Sequence, residues 1–518
     1  MKWIFICPAD RSRKVTPAPV QRQPATLAWE ALFLLASLAL TLPLWVTRYL
    51  PLQDYPQHVA AVRIIHDFDT ARFAFHDYFE LDWTRTQYIS VYFAAHLLSY
   101  LFGVLLACKL LLAAILVALP YSLRSVLRAH GRPETYALLA LPLSYNAHFI
   151  LGFLNFIAAI PLFFWGVSAA VRYRQAPSRA SALKLSVLAF VLFYTHVVPF
   201  ALLVAAVVSL SLGRSLGSMV RALLPLLPAC GALFFWLFKS PAGQVLRGAA
   251  SGPGQRSAQF LSIRENWREL PMWLLDVLPG THLKTLALIW VGVVLLACAF
   301  AFAFRSRSGV TRDPDLARWS WLLPAIGVAY FVLPAAYDWI WPINARFPIL
   351  ALLLAIVFVP RLPRLPRVGL ALSALAMEGV AVFLMTRAFA SADKELEGLH
   401  SIIEKIPEGE RVAGLMYDRG SASVKFSPAL HAVAWYQAEK GGAVMFSFVE
   451  FPQSPVRFLE SNRPPRVQPR WEYMPERVDP ASDLAWYRYV ISRGGPPELK
   501  GLSWVAEDGS WRLWSKTP

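Results

Sequence analysis

Long apolar runs are the feature that most restricts what this chain of 518 residues can fold into. A helix needs about 20 mainly apolar residues to cross a bilayer. Together the runs predict an all-α polytopic membrane protein with about 11 transmembrane helices, several of them short. The candidate spans are 28–50, one within 88–123, 135–151, 153–171, 182–195, 197–213, 219–238, 284–304, 318–336, 347–359 and 367–388.

The composition supports this interpretation. Charged residues make up 16% of the chain and hydrophobic residues 56%, whereas soluble globular proteins carry about 25% charged residues. A soluble enzyme, a disordered chain and a small disulfide scaffold are therefore excluded. The four cysteines show no disulfide or metal-binding spacing.

Basic residues indicate the orientation of the spans. Of the 50 Lys and Arg residues, 34 precede residue 394, and only 16 of the 33 acidic residues precede residue 393. Such a basic membrane part indicates positive-inside topology and not nucleic-acid binding. Six basic clusters share the cytoplasmic side if 88–123 crosses once, with the N-terminus inside and the C-terminus outside. Two crossings there would invert everything that follows.

Three parts of the chain are predicted. A basic cytoplasmic tail covers 1–27, the transmembrane domain covers 28–392 with outer loops 51–87 and 239–283, and a soluble domain covers 393–518. The soluble domain shows a helical pattern over 396–406 and a strand pattern at Arg411–Met416. A second helix at 429–439 and strands at 487–492 and 510–514 predict a small C-terminal α/β domain outside the membrane.

The first outer loop begins with a polar group directly after the first span. Asp54 and His58 lie on either side of Pro56, which suits the first turn of a helix. A carboxylate near the membrane surface can act as a general base, and a histidine can move a proton. Asp54 and His58 are therefore the candidate catalytic residues. The alternative is that the Asp54 carboxylate only caps the helix.

Further polar residues gather at turns on the same outer face. An ionisable group at the edge of a span costs free energy unless it is paired or hydrated, so it is a functional candidate. For each histidine the alternative is helix capping or a buried hydrogen bond. The convergence of these turns predicts an outward-facing site. The candidate substrate- and phosphate-binding residues are His148, Asn155, His196, Asn344 and Arg346, together with Arg264 from loop 239–283.

These residue types suit one kind of chemistry. An arginine at the interface makes strong, often bidentate contacts with phosphate. With a carboxylate base, such a site suits transfer of a group from a lipid-phosphate donor whose tail stays in the bilayer. The basic residues of loop 239–283 depart from the positive-inside trend, and phosphate binding would explain them. A solvated loop is the alternative.

A family resemblance rests on the layout and on short segments. In the membrane part these are Leu52-Gln53-Asp54-Tyr55-Pro56-Gln57-His58, Gly152-Phe153-Leu154-Asn155-Phe156, Tyr194-Thr195-His196 and Asn344-Ala345-Arg346-Phe347. In the C-terminal domain, residues 430–437 with Gly441-Gly442 also carry the resemblance. The chain resembles the GT-C superfamily of integral-membrane glycosyltransferases, in particular bacterial enzymes of the mannosyltransferase and aminoarabinose-transferase type.

The resemblance implies a function and roles for residues. Asp54 would deprotonate or orient the acceptor hydroxyl, and Arg346, with Arg264, would hold the phosphate of a polyprenyl-phosphate sugar donor. The acceptor would be a lipid, a glycan or a protein, and the location the bacterial inner membrane with the C-terminal domain in the periplasm. Many members carry an acidic pair in the first loop, whereas Tyr55 follows Asp54 here.

Several alternatives stay open at this stage. Asp77 or Asp82 is a candidate second carboxylate, and no metal ligand is assigned, although a carboxylate with a phosphate could hold a divalent cation such as Mg or Mn. In the predicted C-terminal domain we interpret His431 and Tyr436 as packing residues. The rival functions are another envelope enzyme of the O-antigen ligase or polymerase type, a lipid or polysaccharide transporter, and a purely structural membrane protein.

Overall fold

The computed structural model describes residues 27–213, 215–248, 257–280, 282–303, 313–338, 340–465 and 467–516. The predicted basic tail lies outside these residues, apart from Leu27. The helices in chain order are α1 (Leu27–Ala39), α2 (Tyr55–His66), α3 (Phe75–Tyr78), α4 (Ser90–Phe102), α5 (Val104–Ala129), α6 (Ala147–Ile150), α7 (Leu154–Gln175), α8 (Arg179–Phe193), α9 (Val197–Ser211), α10 (Leu216–Leu223), α11 (Leu227–Lys239), α12 (Pro241–Leu246), α13 (Ile263–Leu274), α14 (His282–Ala303), α15 (Pro314–Trp319), α16 (Leu322–Val332), α17 (Arg346–Phe358), α18 (Arg364–Glu404) and α19 (Ala434–Lys440).

Short strands accompany these helices, mostly near the end of the chain. They are β1 (Phe79–Leu81), β2 (Ala258–Gln259), β3 (Ala336–Tyr337), β4 (Arg411–Met416), β5 (Ala443–Val444), β6 (Val456–Phe458), β7 (Tyr489–Arg493), β8 (Ser503–Asp508) and β9 (Trp511–Ser515).

The membrane part is helical, as predicted. Among the described residues four helical segments are long and apolar enough to cross a membrane: α5, α7, Leu216–Lys239 (which contains α10 and α11) and α18. Shorter apolar helices accompany them, including α1, α4, α9 and α17. A polytopic membrane protein is therefore confirmed, while the number of 11 spans stays a prediction.

The stretch 88–123 contains two helices, of which one is long enough to cross. Gly103 separates them with a φ of 70°. The 13 residues of α4 span about 20 Å, less than the bilayer core of about 30 Å, whereas the 26 residues of α5 span about 39 Å. The start of α4 bonds to Tyr194, and Lys109 near the start of α5 donates to the Thr47 carbonyl at 2.6 Å. By length only α5 of these two helices is a candidate span, and the single crossing stays a prediction.

The segment 135–151 differs from the predicted α-helical span. It forms a 3-10 helix, Glu134–Leu143, followed by the single turn α6. Pro142 has no backbone N–H to donate, which works against a continuous α-helix. The side chain of Asn146 then accepts hydrogen bonds from the backbone of His148 and Phe149, so a new helix begins there.

The helix predicted to open the C-terminal domain is the end of α18. This helix has 41 residues, about 60 Å, and runs through residue 393 without a break. Residues 389–397 contain neither Gly nor Pro, so nothing in the local sequence ends the helix. The membrane part and the C-terminal domain are therefore joined by one continuous helix.

The C-terminal domain is built on a mixed sheet. Its strand order is β5-β4-β7-β9-β8, with β4 parallel to β5 and β7, and β9 antiparallel to β7 and β8. The predicted strands at 411–416, 487–492 and 510–514 are confirmed within one or two residues. The Trp511 indole donates to the Glu395 carbonyl at 3.0 Å, which ties the sheet to α18.

Two small strand pairs bring distant segments to the same end of the molecule. β1 of loop 51–87 pairs with β6 of the C-terminal domain, and β2 of loop 239–283 pairs with β3, just before α17. Lys425 also forms an ion pair with Asp276 at 2.7 Å. The two long loops, the start of α17 and the C-terminal domain therefore meet at one end.

Candidate active site

Backbone contacts fix the position of Asp54. Its backbone N–H donates to the Leu151 carbonyl at 2.9 Å, and that of Gln53 donates to Ile150 at 3.1 Å. Asp54 occupies the position before α2, but its carboxylate makes no capping hydrogen bond. The capping alternative is therefore wrong, and the carboxylate, although the residue is buried, is available for other contacts.

Gly152 allows this close approach. It has a φ of 74°, and a Cβ there would lie 2.7 Å from the Tyr55 nitrogen and 3.1 Å from the Asp54 nitrogen. A side chain at this position meets both a strained backbone and a backbone collision.

We expect Gly152→Ala to lower the free energy of unfolding by about 1–3 kcal/mol, because both costs act on the same residue. Thermal unfolding in detergent measures this. Gly379→Ala is the matched control: nothing lies within 4 Å of its Cβ position, and Ala favours a helix interior. An unchanged Tm for Gly152→Ala would contradict the close packing of the loop on Asp54.

The C-terminal domain contributes two side chains beside Asp54. His431 Nδ1 lies 3.2 Å from Asp54 Oδ1, and its Nε2 lies 3.0 Å from Glu472 Oε1. Asp54 and His431 are 377 positions apart in the chain, and the side chains of all three residues are largely buried. The interpretation of His431 as a packing residue is therefore wrong, because both of its ring nitrogens face carboxylates.

The two carboxylates control the charge of His431. Burial alone would lower its pKa, but Glu472 and Asp54 outweigh burial and raise the pKa of His431 to about 10. Burial raises the pKa of Glu472, and His431 opposes that rise. At neutral pH the imidazolium therefore lies between two carboxyl groups.

The stability contributed by this group depends on pH. Because the folded pKa of His431 lies above its usual value of 6.5, its contribution is complete below about pH 6.5 and is lost as the pH rises through 10. We expect His431→Gln to lower the Tm at pH 6 and to lose at least half of that effect by pH 10. An equal Tm loss at both pH values would contradict the pairing; exposed His76→Gln is the control.

His58 lies one turn of α2 beyond Asp54. Its Nδ1 is 2.8 Å from the Tyr92 hydroxyl, and its ring packs edge-on against Phe448 of the C-terminal domain. Burial, only partly offset by Asp54, lowers the pKa of His58 to about 4. His58 is therefore neutral near pH 7, which suits hydrogen bonding better than proton donation. A catalytic role of His58 stays a prediction.

Arg346 begins α17 and carries the cation of the candidate site. Its charged group lies over the rings of Phe153 and Phe156, at 5.7 and 6.0 Å from their centres. Its Nε is buried without a hydrogen-bond partner, and within the described ranges no carboxylate forms an ion pair with it. A half-buried cation whose Nε has no partner is more favourable with an anion beside it, so this geometry suits an anionic ligand.

Two histidines lie within electrostatic range of Arg346. His148 Nε2 donates to the Ala345 carbonyl at 2.9 Å, and its ring stacks on Trp273. His196 accepts a hydrogen bond from the Val198 N–H and so caps α9. The structural alternatives therefore account for one nitrogen of each ring, while His148 Nδ1 is buried without a partner among the described residues.

The remaining predicted residues are placed differently. The Asn344 amide donates to Asn266 at 2.8 Å and to the Tyr330 carbonyl, so it anchors the turn before Arg346. Asn155 lies beside Tyr92, and its Oδ1 has no described partner. Arg264 is exposed near the start of α13, and among the described residues it contacts none of the other candidates.

The candidate second carboxylates of the first loop lie elsewhere. Asp77 is exposed, and Asp82 accepts hydrogen bonds from the backbone and hydroxyl of Thr84. Glu472 is instead the carboxylate that shares a partner with Asp54. Across the described ranges no group of three or more His, Cys, Asp or Glu side chains could hold a metal ion, so a Mg or Mn ion stays a prediction of the sequence.

Solved structures share this architecture. ArnT from Cupriavidus metallidurans bound to undecaprenyl phosphate aligns with a TM-score of 0.55 at 12% identity, over 95% of this chain and 100% of that one. The chain has a GT-C-like fold. ArnT in the apo state aligns with a TM-score of 0.53 at 13% identity, over 95% and 99% of the two chains. No protein-family model and no curated protein matches the sequence.

The GT-C-like fold brings together residues that sequence reasoning missed. These are His431 and Glu472 beside Asp54, and Trp273 beside His148. The tail segment 430–437 carried a family resemblance, which was the only signal pointing to His431. Nothing in the local sequence marks Glu472, because its role depends on a contact between two parts of the chain.

Proposed function

We propose that this protein transfers a sugar from a polyprenyl-phosphate donor to an acceptor hydroxyl. One observation carries the proposal: a single short loop holds both Asp54 and the segment of Arg346. His148 bonds to the Ala345 carbonyl, and Leu151, three residues later, accepts from the Asp54 N–H. A buried carboxylate and an unpaired guanidinium on either side of one loop support a base next to a phosphate. The ArnT structure with bound undecaprenyl phosphate supports a polyprenyl-phosphate ligand on this fold.

The proposed reaction uses these groups as follows. Asp54 takes the proton of the acceptor hydroxyl, and the hydroxyl oxygen forms the new bond to the anomeric carbon. The bond between that carbon and the phosphate oxygen breaks, and polyprenyl phosphate leaves with the additional negative charge. Arg346 stabilises this charge in a site sheltered from water.

Other residues support binding in this proposal. His58, His148, Asn155 and His196 line the donor and acceptor positions, and Asn344 holds the turn that places Arg346. Arg264 is a further phosphate contact on the sequence argument alone. Because its position is exposed, it would meet the ligand only at the surface of the site.

The proposed setting is a bacterial inner membrane. The N-terminus lies in the cytoplasm, and the C-terminal domain with the site lies in the periplasm. A lipid, a glycan or a protein is the acceptor. Arg124, at the far end of α5, bonds to Glu30 and Glu134, and this basic end away from Asp54 supports the orientation.

A proteoliposome experiment tests the proposal against a transporter. The protein is reconstituted with radiolabelled polyprenyl-phosphate sugars and bacterial membrane extract as the source of acceptor. A transferase breaks the bond between sugar and phosphate and leaves label on a new product. A transporter moves the intact lipid-linked sugar to the other leaflet without cleavage. Movement of intact donor without cleavage by wild type would overturn the proposal.

A ligase or polymerase of the O-antigen type is the second candidate. Such an enzyme would transfer a preassembled glycan chain instead of one sugar. The mass of the product in the same experiment decides between the two, because a single sugar adds one residue to the acceptor.

A further inference from the structure

The C-terminal domain reaches the candidate base through a chain of three side chains. Asp54 Oδ1 faces His431 Nδ1 at 3.2 Å, and His431 Nε2 faces Glu472 Oε1 at 3.0 Å. Gln53 Nε2 also donates to Asp54 Oδ1 at 3.3 Å. These contacts involve one carboxylate oxygen of Asp54. No described residue donates to the other oxygen, Oδ2, which therefore keeps its capacity to accept a hydrogen bond.

The charges of the Asp54, His431 and Glu472 side chains partly cancel. With Asp54 and Glu472 ionised and His431 protonated, the three groups carry two negative charges and one positive charge. The sum is a single negative charge, the same as that of a lone carboxylate base. A cation paired with Asp54 alone would make the carboxylate a weaker base, and Glu472 offsets that effect by sharing the cation.

The imidazole is also held in one orientation. Its Nδ1 lies 3.1 Å from the Gln53 carbonyl, and its ring packs edge-on against Phe448. The other titratable groups that face these three residues are His58 and Tyr92 from the membrane domain, and Arg419 and Tyr473 from the C-terminal domain.

We infer that the C-terminal domain supplies two positioning residues, His431 and Glu472, which orient the Asp54 carboxylate for proton removal. This inference rests on the proposed role of Asp54 as the base. The domain is therefore part of the active site. Its docking on the first outer loop brings His431 and Glu472 to the Asp54 carboxylate.

An infrared titration of the full-length protein tests the inference without any substrate. The carbonyl band of protonated Asp54 is assigned by its loss in Asp54→Asn and is followed as a function of pH. We expect His431→Gln to raise the pH at which this band appears by about 1–3 units, because Asp54 loses its cation. Glu472→Gln should lower that pH by about one unit, because the cation then acts on Asp54 alone.

A matched control separates this effect from general damage to the domain. His400 also faces two carboxylates, Glu404 at 3.0 Å and Glu439 at 3.9 Å, but makes no described contact with Asp54. His400→Gln should leave the Asp54 titration unchanged. Opposite shifts in the two test variants support the inference, and an Asp54 band that titrates as in wild type in both variants overturns it.

The pH dependence of sugar transfer distinguishes the two proposals. If Asp54 is the base, the acid limb of kcat against pH moves up in His431→Gln and down in Glu472→Gln, as the infrared band does. If the infrared band shifts while Asp54→Asn still transfers sugar, the proposed function fails and the control of Asp54 by His431 and Glu472 stands. If transfer falls while neither the band nor the acid limb moves, the two residues are only structural.

Discussion

Arg346→Met weakens binding of undecaprenyl phosphate by about 100-fold, because two charged hydrogen bonds to the phosphate contribute about 3 kcal/mol. The same substitution leaves the Tm of the ligand-free protein nearly unchanged. Arg346 has no carboxylate partner within the described ranges, so its removal breaks no ion pair. Among the described residues it removes the contacts with Phe153 and Phe156, worth about 1 kcal/mol, which the methionine side chain partly replaces.

The ligand-induced rise in Tm in detergent measures this binding. Neutral polyprenol is the lipid control, because it has the same chain without phosphate. Arg387→Met is the protein control: Arg387 is exposed and lies over Phe383 on α18. Arg346→Lys should fall between wild type and Arg346→Met, since lysine keeps the charge but not the planar fork. Equal binding by wild type and Arg346→Met would contradict the binding of the phosphate by Arg346.

Asp54→Asn lowers the rate of sugar transfer by about 100-fold or more, the usual scale for the loss of a general base. Asparagine keeps the size and the backbone contacts with Leu151 but cannot take the proton. The fold is retained because His431 keeps Glu472 as its partner at 3.0 Å. Binding of the donor lipid is also retained, so the loss lies in kcat.

Asp77→Asn is the matched control for this substitution. Asp77 lies in the same loop, is exposed and makes no described contact with Asp54. We expect its transfer rate to equal that of wild type. Wild-type transfer by Asp54→Asn would discard Asp54 as the base, and a matching loss in Asp77→Asn would assign the effect to the loop as a whole.

Most of the fold follows from periodicity and hydropathy. The apolar runs predict the membrane helices, and the strand patterns predict β4, β7 and β9, because burial imposes these patterns locally. The pattern could not show that α18 is continuous. An amphipathic stretch after an apolar span looks like a new helix, and only the absence of a helix breaker over 389–397 indicates one long helix.

The candidate site is predictable only in part. Asp54, His148 and Arg346 lie at the edges of predicted spans, where a polar residue is unusual enough to be noticed. The sequence could not predict which side chains keep a nitrogen or oxygen without a hydrogen bond. His148 and His196, for example, each use one ring nitrogen for a backbone contact. The contact of His431 with Asp54 depends on docking of the C-terminal domain, which no local pattern encodes.

Cleavage of a lipid-linked sugar tests the central claim most directly. Wild type and Asp54→Asn are reconstituted in nanodiscs with the same acceptor extract, and free polyprenyl phosphate is measured by mass spectrometry across a panel of polyprenyl-phosphate sugars. The proposed function predicts that wild type releases polyprenyl phosphate from at least one donor, and that Asp54→Asn binds this donor but releases about 100-fold less. Equal release by the two proteins, or an intact donor bound by wild type in the presence of acceptor, would contradict it.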